Sequence, residues 1–313
     1  MRFSGIKKRA YRAAFGLIVS LAPALSWATD SPPPLSSILS GSEFTYTAKR
    51  GDSLPRLGIR FGVNAQILAR DNSLTGRQRL KAGQELRIDN RHIVPEAFVD
   101  DGIVINLPQR MLFHLREREV TDAYPVAVGK PDWQTPSGDF EVVNVEENKP
   151  WLVPKSIQEE MRAAGRKVMT RIEPGPKNPL GKYWVGLSLT GIGIHGTTAP
   201  DSIYQFRSHG CIRLHPDNSK DFFHKVTRGE LGRIVYQPVL LARLGDGRVY
   251  LEVNRDAYKR GGDPYKLVRA IAEQEAVTGE VDWKRVKQVI RERAEVAREV
   301  SITSQELTEG GDT

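Results

Sequence analysis

"GLSLTGIGIHGTTAPDSIYQFRSHGCIRL", residues 186–214, decides how this chain folds around its chemistry. "GLSLTGIGIH" alternates apolar and small residues, the period-two mark of a strand, and predicts one strand ending at His195. "CIRL" predicts a second strand starting at Cys211. The fifteen residues between them, with Gly196, Pro200, Asp201 and Ser202 near the start, read as a loop. Strands joined in this way can bring His195 and Cys211 within reach of each other. Cys211 is also the only cysteine of the chain.

Working outward, the N-terminus sets the context for that cysteine. Arg2, Lys7, Lys8, Arg9 and Arg12 make a basic start, Ala13 to Leu25 an apolar run, and Ser26-Trp27-Ala28 a small-residue cleavage point. This is the layout of a secretory leader over residues 1–28, with an uncleaved anchor as the alternative. The apolar run is short for a spanning helix, and no cysteine follows it for lipid attachment. The reading predicts an exported, periplasmic protein starting near Thr29. Compartments outside the cytoplasm are oxidising and cysteines there usually pair. A lone one is an intermolecular bridge, a buried hydrophobe or a reactive thiol.

The 313 residues carry a formal charge of +8 and 39 % hydrophobic residues, enough for about two ordinary globular domains. A basic balance suits an acidic partner, but export argues against nucleic acid. "SPPPLSSILSGSE", residues 31–43, closes a linker read over 29–43. Residues 44–90 then run strand, helix, helix, strand: Phe44 and Tyr46 alternate, Asp52 or Ser53 caps a first helix, Asn64 a second, and Leu86 and Ile88 close. With Tyr46, "RGDSL" (50–54), "RFGVN" (60–64), "ILARDN" (67–72) and "LKAGQELRI" (80–88), this stretch resembles a LysM module. The resemblance implies binding to N-acetylglucosamine polymers, here peptidoglycan.

Next come strand signals at "GIVINL" (102–107) and "RMLFHL" (110–115), a predicted hairpin, then "YPVAVG", "DFEVVNV" and "YWVGLSL". A short helix is expected near 155–164 and another from Pro216-Asp217-Asn218, with "GRIVYQPV" returning as a strand. The fold class expected is a mainly β domain over 99–240 behind the small α+β module. A helical extension over 256–313 follows, with helices at 264–276 and 282–300, the latter placing Trp283, Val286, Val289, Ile290 and Ala297 on one side.

Around Cys211 the residue types suit thiol chemistry. A thiolate attacks and an adjacent imidazole takes its proton or stabilises it as an ion pair. His195 is the candidate imidazole, oriented by a backbone carbonyl such as that of Gly196. Gly210 permits an unusual backbone angle, so N–H groups of His209, Gly210 and Cys211 can face a developing oxyanion. Arg213, two residues on, shares a strand face with Cys211 and can hold a substrate carboxylate or help lower the thiol pKa; Ser208 is a second candidate contact. His209 reads as base, oxyanion support or packing. Zinc on His195, His209, Cys211 and His215 is a rival reading, but Arg213 would sit beside the metal and the spacing fits no familiar zinc pattern.

"IHGT" and "SHGCIRLH", with "TPSG" (135–138) in "VAVGKPDWQTPSGDFEV" (126–142) and "PGPKNPLG" (174–181), resemble the L,D-transpeptidases with a YkuD-type catalytic domain. That resemblance implies a β-sandwich whose Cys211, activated by His195, attacks the diaminopimelate–D-Ala bond of a tetrapeptide stem and forms a thioester. The acyl group then passes to an amine, giving a 3→3 cross-link or an anchored outer-membrane lipoprotein. Water or a free D-amino acid as acceptor would make a carboxypeptidase or exchange enzyme. No metal or organic cofactor is implied. The reading from another class is a non-catalytic wall-binding protein.

Overall fold

The computed structural model describes residues 32–76, 78–96 and 100–302. The expected leader lies outside them, and no helix among the described residues is long and apolar enough to cross a membrane.

The first module follows its local signals. The strands Glu43–Thr47 and Glu85–Asp89 pair antiparallel, Phe44 opposite Ile88 and Tyr46 opposite Leu86. Between them lie helix α1, Leu54–Phe61, and helix α2, Ala65–Asp71. Ser53 caps α1 by accepting the Arg56 N–H, which satisfies one orphan donor of the first turn. Asp52 instead takes the Tyr46 hydroxyl and the Lys49 N–H, each at 2.8 Å. Gly62 ends α1 in the left-handed region at φ +70°, and Asn64 caps α2.

The second module is mainly β. The predicted hairpin forms as Gly102–Asn106 and Met111–Arg116. Nine strands join one sheet in the order 206–208, 119–129, 212–214, 193–195, 183–187, 138–147, 231–235, 102–106 and 111–116. The strand Glu119–Gly129 pairs with Met111–Arg116 as well, so the sheet closes on itself. Its interior holds Ile103, Ile105, Val126, Val142, Ile194 and Ile212, and helix α4, Pro216–Lys225, adds Phe222. Helix α3, Lys155–Ala163, stands outside this core with no buried residue.

Three expectations are corrected. "GLSLTGIGIH" is two strands, Tyr183–Leu187 and Gly193–His195, paired antiparallel. Gly191 at φ +75° turns the chain between them, and the Leu187 N–H bonds the Ile192 carbonyl. The loop before Cys211 also carries structure, a 3₁₀ turn at Pro200–Ser202 and a strand at Phe206–Ser208. The stretch read as a linker is pinned over its described residues: Ser36 bridges to Ala242, and Leu39 and Ser40 pair with Ile93 and His92.

The C-terminal extension carries the two expected helices, α5 (Pro264–Gln274) and α6 (Trp283–Glu292), packed on a three-stranded sheet of Val239–Arg243, Val249–Val253 and Arg298–Glu299. The helix expected to reach residue 300 stops at Arg293, whose φ of 45° places it in the left-handed region. Ala297 therefore lies on no helix; its neighbours Ala294 and Val296 complete the core of the first module.

Polar ties hold the three parts together. Glu252, fully buried, accepts from the Ile93 N–H and from Gln109 and lies 3.0 Å from His92 Nδ1; His92 Nε2 meets the Gly62 carbonyl at 2.9 Å. Glu295 meets Arg110 at 2.7 Å and Asn64 at 3.0 Å. Arg298 bridges Asp89 and Asp71.

Candidate active site

The strands Gly193–His195 and Ile212–Leu214 lie parallel, with Ile194 opposite Ile212 and His195 opposite Arg213. Both isoleucines enter the core. Side chains alternate along a strand, so Gly193 and His195 share one face; the second strand begins at Ile212, one residue after the expected start, and Cys211 lies in the bend just before it. His195, Cys211 and Arg213 all line one cavity of about 690 Å³. Asn144, Trp184 and Gly191 line it too, and Ile157 and Met161 of α3 add an apolar part of the wall. The expected thiol and imidazole are thus brought to one space.

His195 is 4 % exposed, and its Nδ1 lies 2.6 Å from the Gly196 carbonyl. A carbonyl only accepts, so Nδ1 donates and Nε2 is the basic nitrogen. Burial pushes the imidazole down to about 4, helped by the charge of Arg213 and opposed by nearby carbonyls. Trp184 stacks on the ring at 5.8 Å and 20°, and is itself held by Asn144 at 3.1 Å. That indole explains Gly193: a Cβ there would come within 2.4 Å of it.

Cys211 is partly exposed, and its thiol faces the Gly191 carbonyl at 3.6 Å. Burial pushes the thiol up, outweighing the Gly193 amide and the Arg213 charge. Thiol and imidazole are therefore both neutral near pH 7, which suits proton removal at the moment of attack rather than a resting ion pair. Burial also lowers the Arg213 guanidinium, and its Nε is buried with no hydrogen-bond partner.

Ser208 and His209 line the same cavity. Ser208 is buried; its hydroxyl donates to the Cys211 carbonyl and accepts the Gly210 N–H at 3.2 Å. It ties the loop at the cavity wall, and the Gly210 N–H is engaged within the loop. Gly210 sits at φ +108°, where glycine is favoured. The His209 ring lies 2.8 Å from Glu160 of α3 and edge-on to Trp133. His215 caps α4, and no cluster of three potential metal ligands occurs among the described residues. Sequence reasoning missed Trp184, Asn144 and Glu160. Thr135 of "TPSG" also proves central: its hydroxyl donates to the Gly210 carbonyl at 2.7 Å.

A thiol, a basic imidazole nitrogen and a cation whose Nε has no hydrogen-bond partner among the described residues, all lining one cavity, can perform acyl transfer on a substrate carrying a carboxylate. Comparisons with known proteins agree with that class. Residues 100–240 match the YkuD family, the L,D-transpeptidase catalytic domain, and residues 46–89 match the LysM domain. The chain is 26 % identical over 286 residues to Escherichia coli "Probable L,D-transpeptidase ErfK/SrfK", covering 88 % of this chain and 91 % of the relative. It is 28 % identical over 298 residues to "Probable L,D-transpeptidase YbiS" of E. coli, covering 92 % and 94 %. Bacillus subtilis YkuD is 30 % identical over 172 residues, covering 55 % of this chain and 86 % of that protein. The chain belongs to the L,D-transpeptidase family and carries a LysM domain.

Proposed function

We propose that the protein is a peptidoglycan L,D-transpeptidase working outside the cytoplasm, with Cys211 as nucleophile and His195 as its base. The observation that carries this reading is the pairing, in one cavity, of a neutral imidazole oriented through Nδ1 with the chain's lone thiol. His195 takes the thiol proton as sulfur attacks the carbonyl between the L-centre of diaminopimelate and D-Ala. The Cys211 N–H faces the developing oxyanion. The C–N bond breaks, the imidazolium protonates the leaving D-Ala nitrogen, and a thioester remains. An amine then attacks, its proton going to His195, and the thiol is released. The unpartnered Nε of Arg213 supports its role toward a stem carboxylate. A cavity of about 340 Å³ in the first module, lined by Gly51–Pro55 with Gly76, Gln78, Arg79 and Leu80, supports glycan binding there.

The acceptor is an amine of a second stem or a lysine of an outer-membrane lipoprotein. Mass spectrometry of tetrapeptide muropeptides incubated with the protein tests the reading. Loss of D-Ala coupled to a 3→3 dimer is expected. D-Ala loss without a dimer would call for a lipoprotein peptide as acceptor. Wall binding with neither product would leave a binding protein and end the proposal.

The lowered His195 value gives a second check. Below about pH 4 the imidazole is protonated and cannot take the thiol proton. Single-turnover D-Ala release is expected to hold steady from pH 5 to 8 and fall about tenfold per unit below pH 4. An acid limb near 6.5 would instead indicate an unperturbed imidazole.

A further inference from the structure

Tyr258 lies beyond the residues that match the catalytic family, at the start of the C-terminal extension, yet its hydroxyl ends next to the cysteine loop. It donates to the Gly129 carbonyl at 2.7 Å and accepts the Thr135 N–H at 3.2 Å. The Thr135 hydroxyl in turn accepts the Gly129 N–H at 2.9 Å and donates to the Gly210 carbonyl at 2.7 Å. Gly129 admits this close approach because a Cβ there would meet the Trp133 carbonyl oxygen at 2.2 Å. Thr135 is fully buried and Tyr258 is 6 % exposed.

The tyrosine is itself held rigidly. Its ring stacks on Tyr236 at 5.0 Å and 15°, and its N–H bonds the Tyr236 hydroxyl at 2.8 Å. That hydroxyl donates to Asp256, which also takes the Arg260 and Gly261 N–H groups. Arg260 reaches back to Gln134, the neighbour of Thr135.

The peptide joining Gly210 to Cys211 is planar, so its carbonyl and its N–H point in opposite directions. Fixing the carbonyl on Thr135 therefore fixes the direction of the Cys211 N–H, the donor assigned above to the oxyanion. We infer that Tyr258 is a positioning residue for acyl transfer: through Thr135 it sets the angle of the Gly210–Cys211 peptide and aims that N–H. The inference rests on the acyl-transfer reading of the site.

The test is D-Ala release by the full chain carrying Tyr258→Phe, Thr135→Val or Thr135→Ser, with Cys211→Ala as control. Tyr258→Phe keeps the stacked ring and removes only the hydroxyl. It is expected to lower kcat roughly tenfold with KM unchanged, because a misaimed donor is felt in the transition state. Thr135→Val is expected to lose at least as much, Thr135→Ser to keep activity, and the Tyr258→Phe/Thr135→Val pair to lose no more than Thr135→Val alone. The pH dependence of Cys211 alkylation by iodoacetamide is expected to match wild type in Tyr258→Phe, since alkylation builds no oxyanion. An unchanged kcat in Tyr258→Phe, or a fall matched by equally slowed alkylation, would overturn the inference. Activity surviving in Cys211→Ala would instead overturn the nucleophile reading beneath it.

Discussion

Replacing Cys211 with alanine is expected to abolish D-Ala release and the thioester adduct while leaving the fold intact. Removing a nucleophile costs roughly six orders of magnitude in well-studied acyl transferases, which places the variant below detection. The side chain lost is small and partly exposed, so little packing is lost with it. His195→Gln is expected to cost about two to four orders of magnitude, the usual worth of a positioned base. Glutamine can still face the Gly196 carbonyl, but it has no basic nitrogen to present to sulfur. Chromatography of released D-Ala, with intact-protein mass for the adduct, separates the two variants. Turnover by Cys211→Ala at even a thousandth of the wild-type rate would refute the assignment of the nucleophile.

The second large effect concerns stability. Arg110 is buried at φ +56°, meets Glu295 at 2.7 Å, donates to the Tyr204 carbonyl at 3.2 Å and lies 4.1 Å from the Tyr204 ring centre. Arg110→Ala leaves a buried carboxylate hydrogen-bonded to Asn64 and without its closest cation. Breaking such a pair typically costs about 3–5 kcal/mol, and Tm should fall by on the order of 10 °C. Arg110→Met with Glu295→Met removes both charges and is expected to cost much less. Burial alone would raise the Glu295 carboxyl, but the charge and hydrogen bond of Arg110, with help from Asn64 and Arg255, together outweigh it and hold it below its usual value. The unfolded chain therefore binds the proton more readily. This contribution is complete above pH 4.5 and is lost as pH falls through the lowered folded value. Melting of the wild type and the double variant across pH 2–6 measures it. Equal acid sensitivity in both would show that the pair contributes nothing.

The sequence made local features legible and distant partners invisible. Ser53 and Asn64 announce their helices because a cap bonds within three residues of itself. His195 and Cys211 could be paired on paper because each sits at the end of a strand signal and one loop joins the two. The turn inside "GLSLTGIGIH" was hidden because both halves continue the same alternation, and only the positive φ of Gly191 separates them. Ala294, Val296 and Ala297 keep helical spacing after α6, so they read as more helix. What takes them out of it is burial against residues more than two hundred positions earlier. His209 stayed ambiguous for the same reason: its partner Glu160 lies 49 residues away.

The placement of Ala294 and Val296 in the first module's core has a consequence for how the chain is made. Residues 48–88 leave the ribosome early, but their apolar cluster stays open until Ala294 and Val296 arrive. Assembly is thus gated by Ala294 and Val296, and the nascent first module waits incomplete while the β domain is built. A transcript cut short after α6 yields a protein whose lesion is at the opposite end from the cut.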